Sequence, residues 1–104
     1  MMGPFEHGQS DIVIDDIRLQ LTCPGCPEQY DALDTTGQQV GFLRLRHGYF
    51  RVDVPQCRAN TIFEAYPKGD GVFHPDERMQ YLTEAVRAIK EWLAQNPQEN
   101  KEHN

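Results

Sequence analysis

The stretch from Gly41 to Val54, GFLRLRHGYFRVDV, constrains the fold of this chain more than any other segment. Apolar and polar residues alternate on both sides of a central His47-Gly48 pair, which is the pattern of two strands that each bury one face. Glycine adopts a positive φ at little cost and histidine tolerates it, as a two-residue type I′ turn requires. The stretch therefore predicts a β-hairpin that turns at His47-Gly48.

This turn sets a register that sorts the side chains of the hairpin onto two faces. It places Arg44 opposite Arg51 and Leu45 opposite Phe50, and a slip by one residue would exchange the faces. The predicted inner face consists of Leu43, Leu45, Phe50, Val52 and Val54. The predicted outer face consists of Phe42, Arg44, Arg46, Tyr49, Arg51 and Asp53.

Three further segments are candidates for strands. The apolar residues Ile17, Leu19 and Leu21 alternate with polar ones, and the segment from Thr61 to Tyr66 ends at a proline. A short segment from Gln29 to Asp34 is ambiguous, because its two faces are about equally apolar. Either Tyr30 and Ala32 or Leu33 could face the core.

The period changes in the last third of the chain, where a helix is predicted. The apolar stripe consists of Met79, Leu82, Ala85, Val86, Ile89 and Leu93, at helical spacing. Pro75 followed by acidic residues suits the first turn, and Pro97 ends the pattern. We therefore predict an α+β domain over residues 11–95, an antiparallel sheet of about four strands with one C-terminal helix packed on one face. Residues 1–10 read as a flexible arm and residues 96–104 as a flexible tail.

Such a two-layer fold leaves the outer sheet face without a helix to cover it. Arginine with tyrosine and phenylalanine on one surface is the enrichment found in the centre of protein interfaces. We expect Phe42, Arg44, Arg46, Tyr49 and Arg51 to bind a protein partner or a second copy of the chain. The competing interpretation is a solvated charge ladder, in which Glu64, Asp31 or Asp34 neutralises the arginines.

The charge distribution bears on the kind of partner. The chain has 104 residues and a net charge of −6, yet residues 40–58 hold four arginines against Asp53 alone, which leaves −9 on the rest. A small sheet with arginines between aromatics could bind nucleic acid, but the acidic remainder opposes it, so we keep this as an unfavoured alternative. The chain contains no apolar run long enough to span a bilayer and no signal peptide, so we expect a cytoplasmic protein without a membrane partner.

The Cys23-Pro24-Gly25-Cys26 turn resembles half of a tetrahedral zinc site. A complete site would need Cys57 and one histidine, and His7, His47, His74 and His103 all lack a spacing that favours them. A zinc-stabilised module with Cys23, Cys26 and Cys57 as ligands is therefore a second alternative. An enzyme of unknown type is a third, although the sequence shows neither a Gly-rich phosphate loop nor a recognisable catalytic set.

Two segments, CPEQYD at residues 26–31 and VGFLRLRHG at residues 40–48, resemble small uncharacterised proteins of bacteria and phages. This resemblance covers roughly residues 17–93 and implies a strand-rich layout without implying an activity. The segment from Val40 to Arg46 is also similar to a central strand of the GNAT acyltransferases. The phosphate loop of that family does not occur here, so no catalytic residue is carried over.

Overall fold

The computed structural model describes residues 11–23 and 27–96, with Cys23 described by its backbone. These residues form an α+β fold, a sheet of six strands followed by one helix. The elements are β1 (Ile12–Ile14), β2 (Ile17–Cys23), β3 (Glu28–Leu33), β4 (Gln39–Arg46), β5 (Tyr49–Val54), β6 (Asn60–Ala65) and α1 (Pro75–Gln95). The predicted arm at residues 1–10 and the tail from residue 97 lie outside the described residues.

The strands form an antiparallel meander in which each one pairs with its neighbours in sequence, in the order β1 to β6. The predicted number of about four strands was too low. β1 has three residues, IVI, which is too few to show an alternation, and a turn with positive φ at Asp15 and Asp16 joins it to β2. β3 was the ambiguous segment, and it forms a full strand between β2 and β4.

The central hairpin has the predicted register and turn. Arg44 lies opposite Arg51, Leu45 opposite Phe50 and Leu43 opposite Val52. His47 and Gly48 have φ values of 56° and 72°, the left-handed conformations of a type I′ turn. The inner face is fully buried, and it includes Leu43, Leu45, Phe50, Val52 and Val54.

The core lies between this inner face and α1. β3 contributes Tyr30 and Ala32 to it, which decides the ambiguity of that strand, while Leu33 is only half-buried. The helix stripe is confirmed for the most part: Leu82, Ala85, Val86 and Ile89 are buried. Met79, at the start of the stripe, is half exposed.

A buried carboxylate connects β3 to the loop and helix that follow β6. Glu28 accepts hydrogen bonds from Phe73 N (2.9 Å), Arg78 Nε (2.8 Å) and the Tyr30 hydroxyl (2.5 Å). Burial, together with the hydrogen bond to Glu28, raises the pKa of Tyr30. The same loop reaches the central hairpin, where Gly48 N donates to the Asp70 carbonyl at 2.6 Å. This hydrogen bond connects the hairpin turn to the loop that follows β6.

Within the described residues, no helix has a stretch that is both long and apolar enough to cross a bilayer.

Candidate functional site

The candidate site is the outer face of β4, β5 and β6, on the side of the sheet away from α1. Side chains of a strand alternate between the faces, so the residues paired across the hairpin share a face. The structure places all five predicted residues here, as the pairs Phe42 with Asp53, Arg44 with Arg51, and Arg46 with Tyr49 show. We call this predicted set, Phe42, Arg44, Arg46, Tyr49 and Arg51, the arginine face.

Arg51 is neutralised within the fold. Its Nε donates to the carboxylate of Asp53 at 3.0 Å, and Asp53 is fully buried. Asp53 also accepts hydrogen bonds from Arg58 N (2.8 Å) and the Thr61 hydroxyl (2.7 Å). Burial alone would raise the pKa of Asp53, but these donors outweigh it, and the pKa of the carboxyl is lowered. Asp53 is therefore an anion that fixes Arg51 and the start of β6.

Arg44 and Arg46 have no such partner. Neither guanidinium forms a hydrogen bond or an ion pair with any residue of the described chain. Arg44 is half-buried, and its Nε is covered by protein without an acceptor within the described residues. Arg46 is exposed at the top of the hairpin. Two cationic side chains on one face of one strand thus lack a counter-charge.

The nearby carboxylates are engaged elsewhere. Glu64, which lies opposite Arg51 across β5 and β6, accepts a hydrogen bond from the Tyr49 hydroxyl at 2.8 Å. This bond, with a smaller contribution from burial, raises the pKa of Tyr49. Asp31 accepts from Gln39 Nε2 at 3.2 Å, and burial raises the pKa of Asp31. The charge ladder that would have neutralised Arg44 and Arg46 does not form within the described residues.

A shallow depression of about 310 Å³ opens between the unpaired arginines. It is lined by Arg44, Arg46, His47, Tyr49 and Arg51. The ring of Tyr66 lies 5.6 Å from that of Tyr49, measured between ring centroids, and widens the aromatic border. Sequence reasoning missed Tyr66 and took His47 only as a turn residue. Tyr66 follows Glu64 by two residues, and this spacing, which puts both side chains on the same face of a strand, was the signal that could have identified it.

Phe42 contributes less surface than predicted. Only 8% of this side chain is exposed, although it lies on the outer face. Its cross-strand neighbours are Asp31 on β3 and Asp53 on β5. The accessible part of the arginine face is therefore the half nearer the hairpin turn, around Arg44, Arg46 and Tyr49.

Two of the three predicted cysteine ligands, Cys23 and Cys57, lie at separate places in the described fold. Cys23 ends β2, whereas Cys57 is exposed in the loop after β5, at the opposite end of the sheet. Cys57 Sγ instead lies 3.8 Å from Arg51 Nη2. Cys26 lies outside the described residues, and within the described ones no group of three or more Cys, His, Asp or Glu residues could hold a metal. The zinc prediction for the Cys23-x-x-Cys26 turn stays a prediction.

The two described histidines, His47 and His74, occupy different places in the fold. His47 lines the depression, and His74 precedes the first residue of α1, where its backbone N donates to the Glu77 carboxylate at 3.1 Å. The residues that line the depression include neither a serine nor a cysteine. Three arginines, one histidine and one tyrosine line it.

Comparisons of the chain with protein-family models, with curated proteins and with solved structures found no match.

Proposed function

We propose that the protein is a binding module that holds an acidic protein partner on its arginine face. The observation that supports this most directly is the pair of guanidiniums, on Arg44 and Arg46, without an acceptor in the described chain. Arginine presents several donors in a planar fork that matches a carboxylate. A carboxylate of the partner would supply the acceptors that Arg44 and Arg46 lack within the described residues.

The placement of Arg44 also argues that the cation is retained for binding. Like charges directly opposite on neighbouring strands are destabilising, and a covered Nε without an acceptor adds a desolvation penalty. Arg44 carries both disadvantages, since it lies opposite Arg51. Departures from local stability rules concentrate at functional sites.

A separate acidic partner fits better than a second copy of the chain. A two-fold symmetric dimer through the arginine face would place the same cationic patch on both sides of the interface. Arg44 and Arg46 of one protomer would then approach the arginines of the other. An acidic surface on a different protein avoids this repulsion.

Binding to an acidic polymer tests the proposal. Poly-L-glutamate serves as the probe and poly-L-lysine as its opposite, with binding followed by isothermal titration calorimetry at low ionic strength. We expect the protein to bind poly-L-glutamate, and the double variant Arg44→Glu/Arg46→Glu to lose about a hundredfold in affinity. Arg51 is left intact, because its removal would strand the buried carboxylate of Asp53.

The matched control reverses two arginines elsewhere. Arg58 and Arg87 are exposed and form no side-chain ion pair within the described chain, so Arg58→Glu/Arg87→Glu changes the net charge equally. We expect this control to bind nearly as well as the unmodified protein. Equal losses in the two double variants, or no binding to poly-L-glutamate, would overturn the proposal.

Two further measurements separate the alternatives. Tighter binding to poly(U) than to poly-L-glutamate would reassign the face to nucleic acid. Sedimentation velocity of the unmodified protein reports self-association, and a dimer that Arg44→Glu/Arg46→Glu dissociates would reassign the face to a second copy.

A further inference from the structure

We infer that the depression between Arg44 and Arg46 receives one phosphate monoester carried by the acidic partner, as in a phosphorylated serine of a peptide. This inference rests on the proposed function and specifies the chemical group that the site recognises. The alternative source of the same oxyanion chemistry is a carboxylate side chain.

The arrangement of the two guanidiniums favours phosphate. Arg44 and Arg46 are two residues apart on one strand, which puts their Cα atoms about 7 Å apart on the same face. A carboxylate has two oxygens, and one arginine fork engages both. A phosphate monoester has three terminal oxygens and a charge of about −1.5 to −2, so it can serve two guanidiniums at once.

The lining of the depression is consistent with a dianion. Its five residues, Arg44, Arg46, His47, Tyr49 and Arg51, include no carboxylate, and the charge of Arg51 is already met by Asp53. Arg44 forms the half-buried floor and Arg46 the exposed rim, so the group would be approached from two sides.

The carboxylate of Glu64 lies next to this site, and its charge makes the inference testable. Its carboxylate is held by the Tyr49 hydroxyl at 2.8 Å, next to the depression. A dianionic ligand is repelled by Glu64 about twice as strongly as a monoanionic one. Glu64→Gln keeps an acceptor for Tyr49 and removes the charge, so it should strengthen binding of a phosphate several-fold.

The experiment compares three short peptides that differ at one central position, which is phosphoserine, glutamate or serine. Affinity is measured by fluorescence anisotropy with the full chain. We expect the phosphoserine peptide to bind at least about tenfold more tightly than the glutamate peptide, and the serine peptide to bind least. Arg44→Met and Arg46→Met should each weaken phosphoserine binding about tenfold, and Arg87→Met should leave it unchanged.

Each other outcome decides against the inference in a distinct way. Equal affinity for phosphoserine and glutamate peptides, with both lost in Arg44→Met, would overturn the phosphate assignment and leave the acidic partner standing. Competition by inorganic phosphate at the same concentration as the peptide would overturn the peptide as its carrier. Failure of both acidic peptides and of poly-L-glutamate would remove the proposed function as well.

Discussion

Arg44 is a side chain whose position on the outer face is unfavourable for the fold. Two of its neighbours on the outer face have partners, since Arg51 binds Asp53 and the Tyr49 hydroxyl donates to Glu64. Arg44 lies opposite Arg51 and has a covered Nε that no acceptor reaches in the described chain. Under the proposed function, a bound ligand would supply the acceptor that Arg44 lacks within the described residues.

Replacing Arg44 with methionine should therefore stabilise the unbound protein. Methionine keeps an unbranched apolar stem, while the unpaired Nε and the like charge opposite Arg51 are both removed. We expect the free energy of unfolding in urea to rise by about 1 kcal/mol, with a higher midpoint and an unchanged m-value. Arg46→Met is the control, because that side chain is exposed, and its effect should stay within about 0.5 kcal/mol. A loss of stability in Arg44→Met would mean that the fold itself uses the guanidinium.

Where the sheet and the helix meet, packing depends on the absence of a side chain at Gly41. A Cβ added there would lie 2.7 Å from Cδ1 of Ile89 and 3.4 Å from Cβ of Ala32. Ile89 is fully buried in α1, and its β-branched side chain has little freedom in a helix. Gly41 on β4 therefore sets how closely α1 approaches the sheet.

Gly41→Ala should accordingly destabilise the protein by about 1–3 kcal/mol through overpacking. Ile89→Val removes the clashing Cδ1 and alone should cost about 0.5–1.5 kcal/mol. The double variant should lose less stability than the sum of the two single losses, because the shorter valine makes room for the new methyl group. Urea unfolding of the four proteins in this cycle measures the coupling, and strictly additive losses would show that the helix approach is set elsewhere.

The elements differed in how well their sequences predicted them. The hairpin and α1 were predicted with their faces, because each carries its own period and its own turn or end signals. β3 was ambiguous because Tyr30 and Ala32 on one face competed with Leu33 on the other, and Glu28, which is buried on the same face as Tyr30, lay outside the predicted segment. The groups that make Glu28 tolerable, Phe73 N and Arg78, are 45 and 50 residues away in sequence. The hairpin register alone was enough to place the five residues of the candidate site on one face. The lack of an acceptor for Arg44 in the described chain could not be predicted in this way, because it depends on which donors the nearby carboxylates bind.

At the scale of the whole molecule, carboxylates act as connectors between distant segments. Glu28 joins β3 to α1, and Asp53 joins β5 to the loop before β6. Glu77 accepts hydrogen bonds from the backbone N of Lys68, Gly69 and His74, so that burial is outweighed and the pKa of Glu77 is lowered. In this chain of net charge −6, several carboxylates thus serve as hydrogen-bond acceptors within the fold. Arg44 and Arg46 of the arginine face are among the cationic side chains that form no ion pair within the described residues.

This use of carboxylates predicts how stability depends on pH, and two aspartates on either side of Phe42 should act in opposite directions. The folded-state pKa of Asp53 is lowered, so the unfolded chain takes up the proton first, and the stabilisation from Asp53 is lost as pH falls below about 4. The folded-state pKa of Asp31 is raised by burial, so Asp31 favours the fold more at low pH than at neutral pH.

Asp53→Asn should therefore lower the free energy of unfolding at neutral pH by about 2–4 kcal/mol and flatten its decline in acid. Asp31→Asn should leave neutral stability equal or higher and make the acid decline steeper. Urea unfolding of the three proteins between neutral pH and about pH 3 measures both slopes, and a change of the same sign in the two variants would contradict the opposite environments of the two carboxylates.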